Sequence, residues 1–176
     1  MPQQPVPEFS RPVRVEDMDP GSEISREVEA NESERAALAI RLELQQLDSF
    51  SAEVTLRRIP GGKLIRASGN VMADVVQSCV VSMAPVSAHI DDNFEEIFAP
   101  EGYKPDDDSE DDDLPEYFDG VEIDIGELAA QFLSLMLDPY PRAPDAVIEP
   151  LADGETDVSE RRRPFEGLAE MLKKPH

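Results

Sequence analysis

The sequence predicts an α+β domain: a curled antiparallel sheet of about five strands, with barrel closure left open, an N-terminal helix and a packed C-terminal helix. Two periodicities predict it. Between residues 50 and 98 apolar side chains recur at spacing two, the pattern of half-buried strands. Between 125 and 137 they recur at three and four, the pattern of one helix face. A block of carboxylates separates the two regions, "PDDDSEDDDLPEYFDG", too charged to pack and expected to be a disordered loop, set at 100–119.

Taken in order, residues 1–22 read as an extended Pro-rich lead-in, in which "RPVRVEDM" could add a short strand. "NESERAALAIRL" (31–42) reads as a helix, with Asn31 or Ser33 as N-cap and Ala36, Leu38, Ala39 and Leu42 as its apolar side. "FSAEVTLRRI", the turn "PGG" and "KLIRASGNVMADVVQ" form a hairpin, and "CVVSMAPVSAHI" and "NFEEIF" continue the alternation. In "VEIDIGELAAQFLSLMLDPYPRAP", Asp124 is placed to cap a helix whose face is Ile125, Leu128, Ala129, Phe132, Leu135 and Met136, and Pro139 stops it. The α+β domain is set at 23–144. Residues 145–176 are expected to be a mobile tail ending in a short amphipathic helix, 164–173, too short to be stable without something to pack on.

Composition restricts the function classes. The 176 residues carry 39 Asp and Glu against 16 Lys and Arg, a net charge of −23. Residues 101–124 hold twelve acids and one lysine, yet the remainder is still acidic. Such a chain repels phosphates, and the field suits a basic protein partner. A single cysteine makes no internal disulfide. The N-terminus shows neither an export signal nor a transit peptide, and "FLSLML" is far too short to cross a bilayer, so a cytoplasmic protein with no membrane contact is expected.

Candidate chemistry is sparse. A nucleophilic Cys79 would need a base, for which His89 and His176 are the histidines present. Its neighbours Val75, Val76, Val80 and Val81 describe an apolar strand, so Cys79 is expected to be a buried core residue. A structural zinc site takes four Cys or His ligands, and the sequence has one Cys and two His. The carboxylates of 106–113 lack the glycine and glutamate of an EF-hand loop, and "IPGGKL" lacks the rest of a P-loop. No catalytic residue, metal ligand or cofactor is therefore assigned, and the chain is not expected to be an enzyme. The one segment with a competitive binding role is "RRRPFEGLAEMLKK". Its candidate partner-binding residues are Arg161, Arg162, Arg163, Pro164, Phe165, Leu168, Leu172, Lys173 and Lys174. Docking of this segment on its own domain is the alternative.

"GNVMADVVQSCVVSMAPV", "FEEIF", an acidic insert, "IDIGELAAQFLSLMLDPYPRAP" and a terminal "PFEGLAEMLKK" occur in that order. On these segments the chain resembles the YceD family, the large ribosomal RNA subunit accumulation proteins. "ESERAALAIRL" is similar to the N-terminal helix of alphaproteobacterial members. The resemblance covers roughly residues 9–174. Residues that match the shared pattern are Cys79, Pro85, Ile123, Asp124, Pro139, Pro141, Pro164, Phe165, Leu168, Leu172, Lys173 and Lys174. Many members have cysteine where Ser82 stands, and a second cysteine region where this chain has "DPYPRAPDAV". A zinc site is therefore not carried over.

The resemblance implies a non-enzymatic ribosome-assembly factor, supporting accumulation of 23S rRNA and biogenesis of the 50S subunit. The partner implied is a basic ribosomal protein or a pre-50S particle, with direct rRNA contact only through the C-terminal basic patch, and the chain is expected to act as a monomer. An acidic adaptor or holdase for basic proteins, without ribosomal preference, is the alternative.

Overall fold

The structure, a computed structural model, describes residues 7–60, 62–104 and 115–147. The lead-in enters directly into the packing, because Phe9 and Val15 are fully buried. Between them lies β1 (Pro12–Arg14), the short strand foreseen in "RPVRVEDM". Next comes β2 (Glu23–Glu29), a strand the alternation did not announce, since "EISREVE" has only Ile24 and Val28 as apolar residues.

Helix α1 (Glu32–Arg41) follows with a complete capping box. The Asn31 carboxamide accepts from Glu34 N at 3.0 Å, and the Glu34 carboxylate accepts from Asn31 N at 2.8 Å. The helix ends at Leu42, and Glu43 takes φ of 54° as the chain turns into β3.

Three long strands make most of the sheet: β3 (Gln46–Arg58), β4 (Ile65–Ser78) and β5 (Pro85–Pro100). Strands β6 (Glu116–Phe118) and β7 (Glu122–Asp124) are short, and helix α2 (Ile125–Met136) completes the described elements. The sheet order is β2-β3-β4-β5-β6, while β1 and β7 form a separate two-stranded ribbon. Pairing is antiparallel from β2 to β5, and β6 joins parallel to β5, so the sheet is mixed. Among the described residues the sheet does not close into a barrel, because β2 and β6 are the two edges of an open order. A β-bulge between Leu47 and Ser49 bends β3.

One sheet face is apolar. Phe50, Ala52, Val54, Leu56, Ile65, Ala67, Val71, Ala73 and Val75 are all buried to within about 1%. Helix α2 packs on this face, with Phe132 stacked on Phe94 at a centroid distance of 4.5 Å. Asp124 caps α2 and also holds the lead-in. Its Oδ1 accepts from Gly126 N, Glu127 N and Arg11 N at 3.0, 3.1 and 2.7 Å, and its Oδ2 accepts from Ser10 Oγ at 2.5 Å. Gly126 permits this approach, for a Cβ there would lie 2.4 Å from Phe9 O.

The buried arc of α2 is turned from the expected one. Gly126, Ala130 and Leu133 join Ile125, Leu128 and Ala129 in the core, whereas Leu135 is 77% exposed. At about 100° per residue, Leu135 sits well over 90° from the centre of that arc.

Candidate partner-binding surface

The stretch around Cys79 is a turn rather than a strand. β4 ends at Ser78, Cys79 N donates to Ala84 O at 2.8 Å, and Met83 adopts φ of 61°. The thiol is fully buried, as expected, but outside the main apolar cluster. The segment after α2 covers it: Gln77 Nε2 donates to Asp138 O and Val80 N to Pro141 O, each at 2.9 Å. The sulfur is held by donors. The backbone N–H of Ala143 lowers its pKa most, followed by the Ser82 hydroxyl and amide and the Val81 amide, to about 6. Val81 N and Ser82 N each lie 3.4 Å from Sγ.

His89 is not a partner for this thiol. Its Nδ1 lies 2.8 Å from Asp74 Oδ1 on the solvent face, and its register puts it five residues along β5 from Ala84, about 17 Å. Ser49 and then His89 hold Asp74 below the usual carboxylate range. Among the described residues no group of three or more His, Cys, Asp or Glu side chains is placed to hold a metal ion. No described helix is long and apolar enough to cross a membrane.

What the sheet does present is a polar face with acid on it. The register places Glu27, Glu53, Asn70 and Asn93 in one row across β2 to β5, and Glu29, Ser51, Met72 and Asp91 in the next. Thus Glu27 faces Glu53 directly across two strands, a like-charge pair. Shallow grooves of about 580 and 350 Å³ lie over these rows, the larger lined by Glu53, Thr55, Ser68, Asn70, Asn93 and Glu95 among others.

Arg11, Arg41 and Arg66 are each held by acids, Arg66 on this same polar face, where Arg57 lies opposite it in the register. Arg41 donates to both oxygens of Glu127 at 2.7 and 2.6 Å and to Glu8 at 3.0 Å, joining the two helices and the lead-in. Arg11 grips Glu34 at 2.9 and 3.0 Å, which lowers the Glu34 pKa. Arg66 meets Glu95 at 3.4 Å. Where β5 meets β6 the acids crowd: desolvation and then the Glu96 carboxylate raise the Glu116 pKa.

Arg161, Arg162, Arg163, Pro164, Phe165, Leu168, Leu172, Lys173 and Lys174 all lie outside the described residues, as does most of the acidic insert. The acid rows were missed in the sequence because their members are far apart along the chain. Only the pairing of β2, β3, β4 and β5 brings them together, and β2 was not foreseen.

A family model described as "Large ribosomal RNA subunit accumulation protein YceD" matches residues 67–172, from β4 through α2 and into the C-terminal segment. No curated protein and no solved structure matches the chain.

Proposed function

Since the chain belongs to the YceD family, we propose that it supports accumulation of 23S rRNA and biogenesis of the 50S subunit as a non-enzymatic cytoplasmic assembly factor. It acts as a monomer through a basic ribosomal protein or a pre-50S particle. The family description supplies the role in large-subunit rRNA accumulation. The observation that favours a basic partner is the sheet face where Glu27 and Glu53 confront each other with no arginine or lysine in their row. A cationic partner relieves that repulsion, whereas a phosphate backbone adds to it.

In this reading the body within 23–144 meets the partner, and the tail within 145–176 adds a docking segment. Arg161, Arg162 and Arg163 supply its charge, Phe165, Leu168 and Leu172 its apolar contacts, and Lys173 and Lys174 the far end. Depletion of the protein tests the proposal. Reduced 23S rRNA and a deficit of 50S particles on sedimentation are expected, and normal levels of both refute it. Capture from lysate with and without RNase separates a protein partner from an RNA partner. Salt-sensitive capture of cationic proteins without ribosomal enrichment would favour the general adaptor instead.

A further inference from the structure

β5 has a long free edge. Its sixteen residues pair with β4 throughout, but on the other side β6 reaches only Phe98–Pro100. The bond from Cys79 N to Ala84 O fixes the phase of the hairpin. Counting by twos, alternate residues from Val86 to Glu96 bond back to β4, and those from Ser87 to Ile97 direct N–H and C=O outward. Two side-chain bonds agree with this phase. Asn93 N is taken by the Asp92 carboxylate at 2.8 Å and Ile97 N by the Glu96 carboxylate at 3.0 Å. Among the described residues no strand covers the edge from Ser87 to Ile97, about 35 Å of ladder.

Such an edge is a template for another strand, and the charge on it selects which one. Asp91 and Glu95 lie on the solvent face, Glu95 beside Arg66 at 3.4 Å, and Asp92 and Glu96 lie on the opposite side, so carboxylates flank the edge on both faces. A second copy of this chain, edge to edge, would bring these acids against one another. An RNA strand offers no ladder and the wrong charge. A lysine- or arginine-rich strand has both the hydrogen-bonding pattern and the complementary sign. The other edge, β2, is a poorer fit: it is seven residues long, carries Arg26, and has Arg11 Nη2 3.4 Å from Glu29 O.

We infer that the β5 edge binds an extended cationic segment of a protein partner as an added strand. This deepens the proposed ribosome-assembly role and rests on it for the partner's identity, though not for the binding mode. Lysines or arginines at alternate positions of that strand then meet the acids of one face, Asp91 and Glu95 or Asp92 and Glu96. The crowding of Glu96 and Glu116 at the far end gives a terminal cation a further reason to settle there.

The test uses the full chain, isotope-labelled, with an alternating lysine–threonine peptide of about ten residues as the probe. The expected result is slower amide exchange at Ser87, His89, Asp91 and Glu95 by about tenfold or more, with Ser25 and Glu27 of β2 unchanged. His89→Pro removes an outward N–H without touching the β4 ladder, and should weaken the peptide about tenfold. Should that variant not fold, the pair Asp91→Asn and Glu95→Gln must reduce both affinity and its salt dependence. Protection on β2, or shifts spread over the acidic surface with no protected amide, overturns the inference. So does protection already present in the free chain and removed by Arg161→Ser, Arg162→Ser and Arg163→Ser, which makes the tail the occupant. An edge that binds the peptide in a protein whose depletion leaves 23S rRNA normal refutes the ribosomal role alone. A 50S defect without edge binding refutes the edge alone.

Discussion

At the scale of single residues, Cys79 joins burial to an unusual acidity. Its thiol pKa, about 6 in the folded protein, lies below the ordinary value of 9.0. Between those values the unfolded chain holds more protons at this site, so stability from it rises with pH from about 6 to about 9 and is lost below. The difference in urea midpoint between the natural chain and Cys79→Ala should therefore shrink as pH falls through that window. Burial predicts a second result. Alkylation of the native protein should be at least tenfold or so slower than of the unfolded chain, because the segment ending at Ala143 must open first. The cysteine's burial was legible from its valine neighbours, but its place in a turn was not. Valines usually mark strands, and only the left-handed backbone at Met83 reveals the reversal.

Among the elements, α2 was the most legible and is the most informative to perturb. Asp124 announced its start, and the described structure gives that carboxylate four donors from two segments. Asp124→Ala should cost about 2–3 kcal/mol, more than an ordinary cap, since it frees the lead-in as well. Leu133→Ala should cost about 2–5 kcal/mol, and Leu135→Ala less than about 0.5, reversing the ranking that the sequence periodicity suggests. Thermal or urea unfolding of the three variants distinguishes these. The periodicity placed the helix but not its rotation, because apolar residues lie around more than half of its circumference. β2 and β6 were hidden for a different reason. Edge strands need few apolar residues, and a three-residue parallel strand leaves no alternation to read.

For the molecule as a whole, the net charge of −23 is a term in stability as well as in recognition. Like charges such as Glu27 and Glu53 are pressed together on folding, so added salt should raise Tm by screening them. The same salt should weaken a cationic partner, so the two responses move in opposite directions and are measured in one titration series. The candidate surface was less legible than the fold because charge complementarity belongs to strand register, which a one-dimensional charge count does not contain.

The bond between Ser10 and Asp124 spans 114 positions, and this gives the fold a schedule. Phe9 and Val15 are made well before helix α2, yet their burial waits for it. At 5–20 residues per second the interval is on the order of ten seconds. During that time the nascent chain exposes its N-terminal aromatic and an unfinished sheet. The domain thus closes only after α2 is made, and a chain halted before it would present unburied β-structure to the cell's quality-control machinery.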